Sequence, residues 1–255
     1  MDMWKHKFEI KKDRWVYVPS DEMYRYGKRL HRFIIGKWRA PLYYYHMRDG
    51  GHLAAARIHF KSEYFALVDI RNFFESTSQS RVTRELKTIF PYEDARKIAK
   101  ISTVRIPKSE DKKFSLPYGF PQSPILATLC LHNSYAGQVI KGMYKSGLVK
   151  VSVYMDDIIL SSKDLVILND NFKTLCEALQ KSRYEVNEVK TSPPAKVVTV
   201  FNLNLSHNNL RVTSKRLVEF LQAYAQSKNK HERKGIAAYI RSVNPDQANR
   251  HFPKK

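Results

Sequence analysis

Val151-Ser152-Val153-Tyr154-Met155-Asp156-Asp157-Ile158-Ile159-Leu160-Ser161-Ser162 is the stretch on which the reading of this chain turns. Two alternating or apolar arms of strand length flank a polar centre, the pattern of a β-hairpin that carries acids at its tip. A second apolar run, Tyr64-Phe65-Ala66-Leu67-Val68-Asp69-Ile70, is short and aliphatic and ends at an acid, as a buried strand would. Acids are common in hairpin turns and helix caps, so either signal alone also fits an ordinary turn or cap. Brought together in space, they would supply what two-metal nucleotidyl transfer requires. That chemistry needs carboxylates converging on two divalent cations about 4 Å apart, one activating the attacking oxygen and one holding the leaving phosphate. Magnesium prefers oxygen ligands and retains waters, so Asp69, Asp156 and Asp157 suffice.

Working outward, the spacing predicts a helix from about Ser78 to Ile89 and a second after Pro91 through about Lys100. Leu116 to Pro124 holds three prolines and a glycine, a turning loop before a long helix that begins near Ile125. Asn169 to Ser182 reads as helical, and Lys196–Leu205 with Asn209–Thr213 as a second hairpin around His207-Asn208. The remainder from Ser214 reads as basic helices. The first 60 residues, basic and rich in tyrosine and tryptophan, with the turn-like Asp49-Gly50-Gly51, read as an irregular subdomain.

The 255 residues are 43% hydrophobic, enough for a sizeable core, and 45 Lys and Arg against 24 Asp and Glu leave a formal charge of +21. A surplus of that size on a folded chain faces a polyanion, and nucleic acid is the first candidate. No apolar run of roughly 18 residues suggests a membrane span, and the charged start predicts a cytoplasmic protein. Cys130 and Cys176 lie in apolar stretches and read as buried thiols, while the nine histidines lack metal-ligand spacing.

Tyr154-Met155-Asp156-Asp157 with its apolar flanks resembles the signature of reverse transcriptases. It follows two further blocks in the expected order, Val68-Asp69-Ile70-Arg71-Asn72-Phe73-Phe74 and Leu116-Pro117-Tyr118-Gly119-Phe120-Pro121-Gln122-Ser123-Pro124. Ala56-Arg57-Ile58-His59 and the double phenylalanine are similar to the bacterial branch that includes retron, group II intron and phage-defence enzymes. The resemblance runs from about Ala54 to Leu205. It implies an α+β fold, a right-hand polymerase palm of antiparallel sheet and packed helices with short fingers and a small helical thumb. Residues 1–60 would be fingers-like, 61–205 palm and 206–255 thumb-like.

The function so implied is RNA-directed DNA polymerisation from an RNA template and a DNA or RNA primer, with two Mg²⁺ ions, or Mn²⁺ in their place, in an antiphage or retron-like system. Two other readings use the same palm: a template-independent or RNA-synthesising polymerase, and a non-catalytic nucleic-acid-binding module. By the resemblance, Asp69, Asp156 and Asp157 hold the metals with the Ile70 backbone, and the backbone at Ile70 and Arg71 faces the triphosphate. Phe74 falls where a ring excludes a ribose 2′-hydroxyl, so dNTPs are preferred. Gly119 brings backbone close to the nascent base pair, and Tyr118 stands where most relatives carry glutamine. Lys190 falls where a lysine serves the leaving pyrophosphate as proton donor or counter-charge. For the triphosphate cation of the fingers, Arg48 and Arg57 are the candidates, and the turn after Phe201 falls where relatives grip the primer terminus. With the text ending at Lys255, any RNase H, effector, noncoding RNA or second protein is expected as a separate molecule. Short fingers and thumb predict a need for a partner or an oligomer for processivity.

Overall fold

The apolar run that begins at Tyr64 is buried on both faces because each face meets a different core. Ala66, Val68 and Ile70 belong to one hydrophobic cluster, whereas Phe65 and Leu67 belong to another. The structure is a computed structural model and describes residues 3–11, 14–106 and 113–252.

In chain order, β1 (Trp4–Lys11) and β2 (Arg14–Pro19) form a hairpin, followed by α1 (Asp21–Lys37) and α2 (Gly51–Arg57). β3 (Tyr64–Asp69) leads to α3 (Gln79–Leu86), α4 (Tyr92–Ser102) and the ribbon of β4 (Val104–Arg105) and β5 (Phe114–Ser115). α5 (Ser123–His132) and α6 (Tyr135–Ser146) precede β6 (Lys150–Tyr154), β7 (Asp157–Ser162), α7 (Leu165–Lys181) and β8 (Ser192–Ala195). β9 (Val197–Val200), β10 (Leu203–Ser206) and β11 (Asn209–Val212) come next, then α8 (Ser214–Gln226), α9 (Lys230–Val243) and α10 (Pro245–His251).

The central sheet has the order β6-β7-β3-β8 and is antiparallel throughout. One face carries helices α3 and α5 to α7. The other is covered by the sheet β9-β10-β11 and by α9, through Val198, Leu203, Leu205 and Ile240. This is the α+β palm that the sequence implies. Strand alternation explains it: each residue of β3 faces one core or the other, so the strand reads as a continuous apolar run.

Three expectations are corrected. The first 60 residues are not irregular: they hold the β1–β2 hairpin and a 17-residue helix. Met23, Gly27, Leu30 and Ile34 form its buried stripe, and Ser20 caps it by accepting from the Met23 N–H at 3.1 Å. A glycine within the stripe and five basic residues around it hide the helical period. The long helix after Pro124 is two, because the Ser134 hydroxyl accepts from the Gly137 N–H and starts α6 afresh. Lys196–Leu205 is also two strands, turned at Phe201-Asn202, both in the left-handed region with φ of 53° and 60°. A strand that the sequence did not announce, Ser192-Pro193-Pro194-Ala195, forms β8 at the sheet edge, where prolines that cannot donate are tolerated. β10 and β11 pair across residues 206–209, and Thr213 caps α8.

Candidate active site

The antiparallel register of β3 and β7 sets Asp69 directly opposite Asp157, and the Ile70 N–H donates to the Asp156 carbonyl at 2.8 Å. Asp69 and the adjacent pair Asp156-Asp157, 87 positions further along the chain, therefore meet at one end of the sheet. Between the strands of the hairpin, Met155 adopts φ +56°, a conformation that side chains with a Cβ avoid. His46 holds it there. The Met155 N–H donates to His46 Nδ1 at 3.0 Å, and His46 Nε2 lies 2.6 Å from Thr128 Oγ1, whose hydroxyl donates to the Pro124 carbonyl. That chain of donors assigns the proton to Nε2. Burial pushes the His46 imidazole down to about 4, which keeps Nδ1 free to accept.

Asp69 is gripped from a segment more than a hundred residues downstream. Its carboxylate is almost fully buried; Oδ1 accepts from Asn187 Nδ2 at 2.9 Å and Oδ2 from Lys190 Nζ at 2.8 Å. Its backbone N–H donates to Thr191 Oγ1, and its carbonyl accepts from the Asn187 N–H. Asn187, Thr191 and His46 are functional residues that sequence reasoning missed. Lone polar side chains carry no pattern, and the contacts exist only in the fold.

The electrostatics follow from crowding. Burial, then the charges of Asp156 and Asp69, push Asp157 up to about 7. Asp156 is raised by burial and by Asp69, with Lys190 and Arg14 opposing. Burial pulls Lys190 down, but its hydrogen bond and ion pair with Asp69 outweigh this and leave it above the ordinary lysine value. The carboxylates thus outnumber the cations that face them, and an all-oxygen donor set with surplus negative charge suits a hard divalent ion. Among the described residues, no three His, Cys, Asp or Glu side chains stand in a geometry that encloses an ion. The Lys190 ammonium already occupies Asp69 Oδ2, so the donors fit the metal in chemistry, and Lys190 must yield its place for that oxygen to ligate.

Beside the acids stands an aromatic wall. Phe74 is buried, with its ring 5.6 Å from Phe73 and edge-on to Tyr118 at 4.8 Å. Burial, with the charges of Asp156 and Glu75, pushes the Tyr118 phenol up to about 12 against the pull of Arg14. The Arg14 guanidinium lies 4.3 Å from the Tyr118 ring centroid, and its buried Nε has no hydrogen-bond partner. Arg14, not singled out in the sequence, is the N-terminal guanidinium whose charge reaches Asp156. Arg48 instead donates to the Leu42 carbonyl and lies over Tyr45, and Arg57 donates to the Ser242 carbonyl near the end of α9. Both guanidinium groups are committed elsewhere.

Two further expectations change. The Arg71 N–H donates to the Glu185 carbonyl at 2.8 Å, and its guanidinium pairs with the Glu185 carboxylate. With the Ile70 N–H on Asp156, both amides expected to face a triphosphate are used within the fold. Gly119, at φ +104°, serves a seam between segments: a Cβ there would lie 2.1 Å from the Tyr17 carbonyl oxygen, and the Tyr17 N–H donates to the Tyr118 carbonyl. The Phe201-Asn202 turn rests on the catalytic hairpin, with Phe201 5.3 Å from Tyr154. A cavity of about 570 Å³ opens between this turn and helices α8 and α9, lined by Tyr154, Phe201, Arg216 and Tyr239.

Residues 25–223 match the family model described as reverse transcriptase (RNA-dependent DNA polymerase). The chain belongs to the reverse transcriptase family. Members of that family are nucleotidyltransferases, and this chain carries a palm in which Asp69 stands opposite Asp157. No curated protein sequence matches it. Among solved structures, it is similar to a Candida albicans telomerase in complex with a fragment of telomeric RNA, with 13% identity and a TM-score of 0.58 over 93% of this chain and 51% of that one. It also aligns with a foamy viral protease–reverse transcriptase in complex with double-stranded DNA, with 18% identity and a TM-score of 0.47 over 88% of this chain. The reverse transcriptase described here spans 32% of the foamy viral chain and about half of the telomerase. No helix among the described residues is long and apolar enough to cross a membrane.

Proposed function

We propose that this chain copies RNA into DNA, extending a primer with dNTPs at Asp69, Asp156 and Asp157. The observation that carries the reading is the register of β3 on β7, which sets Asp69 against Asp157 and ties Ile70 to Asp156. Those three carboxylates and the Ile70 carbonyl would hold two Mg²⁺ ions, with Mn²⁺ as a substitute. When bound, the ions lower the pKa of the attacking hydroxyl and neutralise the leaving phosphate.

The chain's own residues would do the rest. Phe74, fixed between Phe73 and Tyr118, presents a ring to the sugar and leaves no room for a 2′-hydroxyl. Arg14, over the Tyr118 ring, supplies positive charge beside the acids for the triphosphate, and Tyr118, protonated at neutral pH, offers a hydroxyl and a stacking face. Lys190, released from Asp69, carries a proton on Nζ for the leaving pyrophosphate. The Phe201-Asn202 turn, resting on Tyr154, is placed to hold the primer end. Residues 1–60 act as fingers and the helices after Thr213 as thumb. Similarity of the motifs to the bacterial branch supports an antiphage or retron-like role with a separate RNA or protein partner.

The test is primer extension on an RNA template with Mg²⁺, with dNTPs or rNTPs, and with the template omitted. Template-dependent dNTP incorporation is expected, falling by on the order of 10³-fold or more in the Asp156→Asn/Asp157→Asn variant. Equal incorporation by that variant overturns the reading. Synthesis without template, or with rNTPs alone, selects the alternative polymerases.

A further inference from the structure

We infer that a basic groove outside the catalytic cleft binds the phosphodiester backbone of single-stranded nucleic acid. The groove has a volume of about 1260 Å³, above the roughly 300–1,000 Å³ of a small-molecule pocket. Four separate parts of the fold build it: the start of α3, the ribbon β4–β5, the α5–α6 junction and the end of α7. None of the residues that hydrogen-bond to the catalytic carboxylates lines it.

Its chemistry fits one class of partner. Arg81, Arg84, Lys113, Lys181 and Arg183 line it, with Glu75 the single acid among its described lining residues. Two helix N-termini open on it, those of α3 and α6, where Ser78 and Ser134 are the caps. Both place partial positive charge where the cations already stand. Two rings, Tyr135 and Phe114, are 55% and 43% exposed among these cations, as a platform for unpaired bases requires. Arg81 is anchored beneath these cations: its Nη2 donates to the Ser182 carbonyl at 2.7 Å and its guanidinium lies over Tyr184. Arg183 sits at φ +59° just beyond α7, a position where glycine or asparagine is usual. That backbone carries a long exposed cation into the groove at a conformational cost.

A double helix would present stiff, stacked bases to these rings, whereas a single strand can lay its bases on Tyr135 and Phe114 while its phosphates meet the arginines and lysines. Glu75 and Ile106 also line a narrow crevice that ends at Leu116, Pro117 and Tyr118, so the groove is continuous with the outer side of the nucleotide-site wall. A strand held here lies alongside the active centre and leaves the acids free. The inference concerns binding alone and stands whether or not the chain polymerises.

The experiment uses the full chain in EDTA without dNTPs. A hairpin primer–template with a one-nucleotide overhang fills the cleft, and fluorescent twelve-residue oligo-U or oligo-dT is added. Against wild type, Lys181→Gln/Arg183→Gly/Tyr135→Ala is expected to weaken oligomer binding at least about tenfold. The slope of log affinity on log salt should fall by about 1.4 for the two lost cations. In a parallel assay with Mg²⁺ and the complementary dNTP, single-nucleotide addition to the hairpin stays unchanged. The two oligomers distinguish RNA from DNA as the natural occupant. Unchanged affinity and slope in both arms, with an unaltered melting temperature, overturns the inference. Should the triple variant misfold, photocrosslinking of 4-thio-substituted oligomer to wild type decides: adducts at Tyr135 or Phe114 support the groove, and adducts confined to other peptides overturn it.

Discussion

The carboxylate site and the outer groove handle charge in opposite ways. In a chain of formal charge +21, the site crowds three acids at the end of a buried sheet, where burial and mutual repulsion raise Asp156 and Asp157. Holding them there takes support from residues distant in sequence: His46 under the hairpin turn, and Asn187, Lys190 and Thr191 around Asp69. The groove gathers charge of the sign the chain has in excess and leaves most of it in water, where repulsion is weak and little scaffolding is needed. The difference teaches that the acid site is vulnerable to changes in its buried supports, while the groove is vulnerable only at its own surface.

The largest effect is expected at a residue that lies between the two regions in the chain but supports only one of them. Gly119 lies in the loop that carries Tyr118 on the site wall and follows the β5 ribbon of the groove. Gly119→Ala would drive a Cβ to 2.1 Å from the Tyr17 carbonyl at a φ that disfavours any side chain. Strain and lost docking of β2, which carries Arg14, should cost about 3 kcal/mol and lower the melting temperature by about 6–12 °C. Incorporation should fall with it. Groove binding should persist below the new melting temperature, because α3, α6 and α7 pack in the main core. An unchanged melting temperature would refute the seam.

Next comes the hairpin support. His46→Ala removes the acceptor for the Met155 N–H and leaves a left-handed turn unsupported. A buried hydrogen bond of about 1–3 kcal/mol corresponds to a kcat lower by about 10- to 100-fold, with little change in KM for dNTP. His46→Gln, whose amide can accept from Met155 and donate to Thr128, should recover part of the loss. Full kcat in His46→Ala would show that the turn holds itself. Oligomer binding in the groove should be identical in all three proteins.

The palm was legible because its elements are local and periodic. The apolar run at Tyr64 and the hairpin at Tyr154 announce buried strands, and β-pairing then leaves one way for their acids to meet. What escaped is long-range or masked. α1 hides its stripe behind basic residues and Gly27. β8 is written with two prolines and owes its pairing to the exposed edge of β3. Arg14 could not be told from Arg48 or Arg57 by composition, because only the docking of β2 on the Tyr118 loop decides which guanidinium faces the acids. Lys190 was found through its motif, but its partner Asp69 and its neighbour Asn187 emerged only from the fold.

The smallest effect separates the two regions by pH. His59 lies buried between β6 and β7: its Nδ1–H donates to Ser161 Oγ at 2.6 Å, Ser161 donates onward to Ser62, and Nε2 accepts from Ser152 at 2.9 Å. Burial, aided by the Lys150 charge, pushes this imidazole down to about 3, and His46 goes to about 4. Unfolded, both take a proton near pH 6.5 that the fold resists. Their stabilisation is therefore complete above that pH and drains away as pH falls toward about 3 or 4, at about 1.4 kcal/mol per pH unit each. Asp156 and Asp157 run the other way without cation: raised in the fold, they favour it as pH falls below about 7. The Asp156→Asn/Asp157→Asn variant deletes that opposing contribution. Its urea unfolding free energy should drop by about 2–3 kcal/mol between pH 7.5 and 5.5, while oligomer binding to the groove, which rests on arginine and lysine, stays flat. Unfolding that is equally flat would mean that neither histidine is held neutral by the core.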